Sequence, residues 1–267
     1  MERYPLKGLD ARCDYSCPMM RRISIASALA STALLTGCSN EELTGVGFRG
    51  DVTSVNQSSF GLWQGAWLAA AIVGVFTLIL ILWPAIFHRQ KEGSVFPRQF
   101  QYNIPAEIAY TVIPFIIVAV LFGYTAKAES EIVKVTPVSS EVHDVTVNGI
   151  QWSWQFTYKE AGPGTTVTGT PAQPPVLYMP LGEKVRFSFT ASDVIHSFWV
   201  PEFMIQMQNI PGVTNQLEFT ANELGEYRGF CNILCGRQHS QMRFTVKVVT
   251  PGEYDSYIQT LKAGVTG

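Results

Sequence analysis

The chain has 267 residues, 47% of them hydrophobic and only 15% charged, with a mean hydropathy of +0.14. An ordinary soluble domain carries about 25% charge, so a purely soluble single-core protein does not fit and a globular part joined to membrane spans does. The formal charge of -2, from 19 Lys+Arg against 21 Asp+Glu, supplies no basic field of the kind that holds phosphate backbones, and nucleic acid is not an expected partner.

Residues 1–18 carry Asp10, Cys13, Asp14 and Cys17 ahead of a signal-like stretch that has no use for them. We read them as a miscalled start; a genuine extension and a cysteine-pair metal site are the alternatives. Residues 19–37 have the form of a signal peptide: Arg21 and Arg22, an apolar run through Ile23, Ile25, Leu29 and Ala30, then small residues before a cleavage point. The ending Leu35-Thr-Gly-Cys38 resembles the bacterial lipobox. It makes Cys38 the expected lipidated N-terminus, anchored in membrane lipid, with residues 38–61 as an exported segment.

Residues 62–87 form the first expected transmembrane helix. No charged residue occurs from Phe60 to Phe87, and the apolar run is long enough for a hydrocarbon layer of roughly 30 Å. Residues 105–126 form the second, with Glu107 at its start. Trp63, Trp67, Trp83, Tyr110 and Tyr124 lie near the ends, as interfacial aromatics do. Between the spans, residues 88–104 contain Arg89, Lys91 and Arg98, whereas residues 39–59 contain Arg49 against Glu41, Glu42 and Asp51. The positive-inside rule therefore places the loop in the cytoplasm of a bacterial cell and both termini on the outer face.

From residue 127 to 267 the pattern changes to period two. Val185, Phe187 and Phe189 alternate with Lys184, Arg186 and Ser188, and Phe244, Val246 and Val248 alternate with Arg243, Thr245 and Lys247. Further strands are expected near 132–137, 143–148, 150–158, 175–180, 193–200, 214–219 and 225–230, with turns at Asn148-Gly149, Leu181-Gly182 and Pro211-Gly212. The expected fold is a two-helix all-α membrane hairpin followed by an all-β Greek-key sandwich or barrel. Residues 161–175 read as a loop or hairpin insertion, and Pro251 to Leu261 as a short amphipathic helix.

The chemistry concentrates in Gly229-Phe-Cys-Asn-Ile-Leu-Cys-Gly-Arg-Gln-His-Ser-Gln-Met242. Cys231, Cys235, His239 and Met242 put two thiolates, an imidazole and a thioether on one short loop, and Asp193-Val-Ile-His196 offers a second imidazole. Soft sulfur ligands together with imidazole select copper. Three other readings stay open: a disulfide between the cysteines, a Cys2His2 zinc site, or an ordinary strand-end role for His196. The first explains neither histidine, and the second leaves Met242 unused. His88 belongs to the membrane flank and His143 to a polar strand edge.

Two N-terminal spans, Gln151-Trp-Ser-Trp154, Asp193-Val-Ile-His-Ser197, Ile210-Pro-Gly212 and the Cys231 to Met242 loop, in this order, resemble subunit II of cytochrome c oxidase over about Leu62 to Tyr257. The lipobox and Ser197-Phe-Trp-Val-Pro-Glu-Phe203 look most like the Gram-positive, actinobacterial branch. The resemblance implies a cupredoxin domain holding the binuclear copper centre CuA. Cys231 and Cys235 would bridge the two coppers, His196 and Met242 would complete one, and His239 with the backbone carbonyl of Ile233 the other. It further implies that Trp152 is where electrons arrive, that Glu107 lies at the mouth of a proton path, and that the partners are a c-type cytochrome donor, haem-containing subunit I and other oxidase subunits.

By the same resemblance, the chain would be the electron-transfer subunit of a proton-translocating respiratory oxidase. Oxygen reduction and most proton pumping would belong to subunit I. Ile233 stands where the family usually has a glutamate that helps bind magnesium, and Gln208 where an acidic residue is common, so no magnesium is expected on this chain. A copper-free quinol oxidase subunit and an exported copper carrier are the rival readings; Cys231 and Cys235 argue against the first. From Gly123 onward there are 10 Lys+Arg and 13 Asp+Glu, a net of -3, which weakly favours a basic donor.

Overall fold

The computed structural model describes residues 45–89, 99–137 and 142–264. The expectations for residues 1–18, the signal peptide and Cys38 lie outside the described residues.

Two long apolar helices come first. Helix α1 runs Asn56–Phe87 and α2 runs Ile104–Ile132, about 48 and 44 Å at 1.5 Å per residue, so both exceed a bilayer core. Their most apolar stretches contain no buried residue, which separates them from the core helices of a soluble protein. Hydroxyls within the apolar stretches are satisfied internally: Thr77 donates to the Val73 carbonyl at 2.8 Å and Thr125 to the Leu121 carbonyl at 2.9 Å, as a segment without water requires. Asn103 caps α2 by accepting from the Ala106 amide, Glu107 accepts from the Asn103 amide at 3.0 Å, and Pro105 occupies the first turn, where it sacrifices no helical bond.

The remainder is a β-sandwich of ten strands among the described residues: β1 His143–Ile150, β2 Ser153–Tyr158, β3 Thr166–Thr168, β4 Val176–Pro180, β5 Lys184–Ala191, β6 His196–Val200, β7 Ile205–Asn209, β8 Asn215–Thr220, β9 Gly225–Cys231 and β10 Arg243–Val249. One sheet has the order β3-β2-β1-β5-β8, the other β4-β10-β9-β6-β7. Two pairings are parallel, β1 with β5 (Val145 opposite Phe187) and β4 with β10 (Val246 opposite Leu177). The inward positions of both sheets supply an aromatic core in which Phe198 stacks on Phe244 at 4.5 Å and Phe187 on Phe219 at 4.9 Å. Helix α3, Pro251–Lys262, starts with a Thr250/Glu253 capping box and buries Tyr254, Ile258 and Leu261, one stripe at helical spacing.

Three local expectations are corrected. Residues 132–137 form no strand, because α2 continues to Ile132 and the following chain is taken up by the Thr136 contacts below. Asn148-Gly149 is not a turn: it lies inside β1, and the chain reverses at Gln151-Trp152. Arg186 does not point to solvent. It is 4% exposed, with Nη2 2.9 Å from Glu218 and 2.6 Å from the Thr136 carbonyl.

That buried pair joins the chain leaving α2 to the sandwich. Glu218 accepts from the Thr136 hydroxyl at 2.6 Å and amide at 3.2 Å, and Lys184 adds a charge contact at 3.0 Å. Burial would raise the Glu218 carboxyl, but the bonds from Thr136, Arg186 and Lys184 outweigh it and hold it at about 2. The chain entering α1 fastens nearby: Thr53 bridges Ala221, Ser54 donates its amide to the Thr220 carbonyl at 2.9 Å, and Arg49 pairs with Glu223.

Candidate metal centre

The strand directions gather the chemistry-bearing residues at one end of the sandwich. There β9 ends at Cys231, β6 begins at His196, and the loop from Asn232 to Met242 closes back into β10. The Cys231 amide donates to the Met242 carbonyl at 3.0 Å, and the Asn232 amide to the Ser197 carbonyl at 3.1 Å, fixing both ends of that loop.

Within it, Cys231 and Cys235 are free and buried, their sulfurs 3.8 Å apart. His196 Nδ1 lies 3.9 Å from the Cys231 sulfur, and the Ile233 carbonyl 3.3 Å from it. His239 Nδ1 is 3.6 Å and the Met242 sulfur 3.7 Å from the Cys235 sulfur. Two sulfur donors about 2.3 Å from a common metal at a tetrahedral angle lie about 3.8 Å apart, so the cysteine separation is already that of two metal ligands. Ring nitrogen and thiol atoms of His196, Cys231 and Cys235 all lie within 4.8 Å of one another, a possible metal site. Two imidazoles, two thiols, a thioether and a carbonyl are more donors than one four-coordinate ion uses.

The two thiols do not ionise independently. Burial raises Cys231, but the bonds to His196 and to the Ser197 and Ile233 backbone reverse this and bring it down to about 6. Burial and the neighbouring Cys231 thiolate then push Cys235 up to about 12. A close, buried dithiol ionises once readily and a second time only when a cation arrives to hold both charges.

A second layer of contacts orients the donors. His196 is 0% exposed; its Nε2 meets Asp193 Oδ1 at 2.8 Å. With the proton assigned to that contact, Nδ1 is left free toward Cys231. Asp193 also accepts from the Val194 and Gln151 amides, both at 2.6 Å. Gln151 and Trp152 in turn donate side-chain N–H groups to the Cys235 carbonyl, at 2.8 and 3.3 Å. Gly149 of β1 lies against the imidazole so closely that an added Cβ would be 2.7 Å from His196 Cδ2.

The sequence named every donor that meets here, and Trp152 stands beside the Cys235 carbonyl. Glu107 is not at this site; it is a helix-start residue of α2, half-buried and bonded to the Asn103 amide. Three contributors to the site have no role assigned from sequence alone. Asp193 opens the Asp193-Val-Ile-His196 motif, and its spacing of three from His196 is the signal for an orienting carboxylate. Gln151 and Gly149 carry no local signal, since their roles arise from strands distant in the chain.

The family model described as cytochrome c oxidase subunit II, periplasmic domain, matches residues 173–249. A probable cytochrome c oxidase subunit 2 of Streptomyces avermitilis is 40% identical, over 94% of this chain and 90% of its own length. Cytochrome c oxidase subunit 2 of Mycobacterium tuberculosis is 32% identical, over 92% of this chain and 84% of its own. Among solved structures, the periplasmic domain of subunit II of the Bradyrhizobium japonicum cytochrome oxidase aligns with 49% of this chain and 100% of its own at 26% identity, with a TM-score of 0.42. With this degree of identity over nearly the full length of both chains, the protein belongs to the cytochrome c oxidase subunit II family, electron-transfer subunits of haem-copper oxidases.

Proposed function

We propose that this chain takes electrons from a c-type cytochrome on the outer face of a bacterial membrane and passes them to haem in subunit I, through a binuclear copper centre of the CuA type. One observation carries the reading: two unlinked thiols, two imidazoles, a thioether and a carbonyl converge with neighbouring separations of 3.3–3.9 Å. Cys231 and Cys235 would hold both ions, with His196 and Met242 completing one and His239 and the Ile233 carbonyl the other. Such a centre would supply one-electron transfer with little change of geometry, because two thiolates held this close would spread the electron over both ions. The protein's part is to keep the donors fixed: Asp193 holds the His196 ring, Gln151 and Trp152 hold the Cys235 carbonyl, and neighbouring strands β6, β9 and β10 of one sheet hold the loop ends.

The donor set fits copper better than the hard divalent cations, which take oxygen ligands. Ile233 brings a carbonyl and a hydrocarbon side chain, so this chain supplies no carboxylate there for magnesium. Trp152, half-buried and touching the loop, is the route inward for electrons. Glu107 opens the proton path into subunit I while capping α2. Cys38 is the lipid anchor, and both termini face outward; oxygen reduction and most proton pumping are the work of subunit I.

Copper analysis and EPR of the full-length protein, loaded with copper and oxidised, test the proposal. Two coppers per chain with one unpaired electron spread over both nuclei are expected, and Cys231→Ala or Cys235→Ala should remove that signal. A single copper, or a signal that survives either substitution, would establish a carrier-like or different site and refute the ligand assignment.

A further inference from the structure

We propose that the metal-bearing end of the sandwich docks a partner with an acidic contact face, through Arg237, Arg243 and Arg228. The inference rests on the electron-transfer reading and supplies the charge of the donor that the reading requires.

The strand directions divide the connecting segments between two ends. The metal-bearing end gathers residues 151–152, 169–175, 192–195, 210–214 and 232–242. These segments contain two charged residues, Asp193 and Arg237. Asp193 keeps 33% of its side chain exposed, but both oxygens are engaged within the protein, one by the Val194 amide and His196 and the other by the Gln151 amide. Arg237 is exposed. Arg243 opens β10 directly opposite Phe230 of β9, and Arg228 lies two residues along β9 on the same outward face.

Arg228, Arg237 and Arg243 are all exposed, and no ion pair forms at any of them among the described residues. The carboxylates toward the other end are largely taken: Glu160 and Glu183 by His143, Glu218 by Arg186, and Glu223 by Arg49.

Beside the arginines the surface is apolar. Trp199 packs on Phe230 at 5.8 Å, and Leu234, in the cysteine loop itself, is 80% exposed. Aromatic and aliphatic contact area edged with guanidinium groups is the make-up of a protein-binding surface. What steers a partner is the field at the contact, not the sum over the domain. The net of -3 over the exported part therefore misleads, and the weak expectation of a basic donor is reversed at the surface a donor would meet.

The test uses the complete oxidase complex and two probes with one fold: a basic cytochrome c, and the same protein with its lysines succinylated to invert their charge. Dissociation constants of the ferric probes, which cannot donate, are measured against ionic strength, with copper EPR as the check on the site. The succinylated probe is expected to bind wild type more tightly than the basic one, and less tightly as salt is raised. Arg237→Glu combined with Arg243→Glu should weaken it about tenfold at low salt and tighten the basic probe, with Lys262→Glu on α3 as a silent control. The neutral pair Arg237→Gln and Arg243→Gln, which cannot introduce new repulsion, should give an intermediate loss.

Tighter binding of the basic probe to wild type, or dissociation constants unmoved by charge reversal while the copper spectrum is intact, would overturn this proposal alone. A wild-type complex without the two-copper spectrum would overturn the electron-transfer reading, and this proposal with it.

Discussion

Gly149→Ala isolates the contact between β1 and His196. The new methyl would stand 2.7, 2.9 and 3.0 Å from the Cδ2, Cγ and Cβ atoms of the His196 side chain, where carbon contacts settle at about 3.5–4.0 Å. Something must therefore yield by about 0.5–1 Å. Strand β1 is paired on both sides, with β2 and with β5, so the ring gives way before the backbone. The ring is held to Asp193 at 2.8 Å, and metal–ligand distances tolerate only about ±0.2 Å. Without the contact, replacing a strand glycine by alanine would stabilise the fold by about 0.4–1 kcal/mol; with it, overpacking costs about 1–3 kcal/mol. The sign of the change thus decides the question. Thermal unfolding and copper EPR of the variant should show a lower Tm and a perturbed or partly lost two-copper spectrum. A raised Tm with a wild-type spectrum would mean that Gly149 does not shape the His196 site.

Other perturbations test separate parts of the structure. Asp193→Asn should lower copper affinity by about 10- to 100-fold, as loss of a partner that orients a ligating imidazole does, measured by competition with a chelator; unchanged affinity would leave Asp193 a loop residue only. Glu218 is 2% exposed at its side chain, and its carboxyl is depressed from 4.5 to about 2. Its contribution, up to about 3 kcal/mol, is present above pH 4.5 and is lost as pH falls through the folded value near 2, so Glu218→Gln should flatten the acid limb of a stability profile. His143 behaves oppositely. The hydrogen bond to Glu160 raises it, burial opposes, and Glu183 adds to the rise. The stabilisation is complete below about pH 6.5 and disappears as pH climbs through the raised folded value, so His143→Gln should be less stable than wild type at pH 5.5 and closest to it in alkaline solution.

What the sequence made legible follows from what is local. The apolar runs announced α1 and α2 because a membrane span states its solvent in every residue, and the alternation at Val185-Arg-Phe-Ser-Phe189 and Phe244-Thr-Val-Lys-Val248 announced β5 and β10. The donors of the cysteine loop were readable because four of them sit within twelve residues, Cys231 to Met242. Arg186 was misread because alternation reports which face a side chain starts from. It does not report that a carboxylate on β8 and a carbonyl from the chain after α2 wait on that face. Asn148-Gly149 was misread for a related reason: the pair has turn chemistry, but here the glycine is demanded by an imidazole 47 positions later. The parallel pairing of β1 with β5 is equally invisible locally, since the strands that set it are separated by three others.

The two fastenings beside β8 have a mechanical consequence. A sandwich hung from one flexible stretch of chain would swivel above its helices and present its far end at every angle. Here the chain entering α1 is stitched to Thr220, Ala221 and Glu223, and the chain leaving α2 is gripped by Arg186 and Glu218. Two moorings on one edge leave only the hinge line through them, so most of the aiming of the donor-bearing end is done before any neighbour arrives. Ordering that would otherwise be demanded at the moment of association is completed when the chain folds, and the helices serve as a mount as much as an anchor.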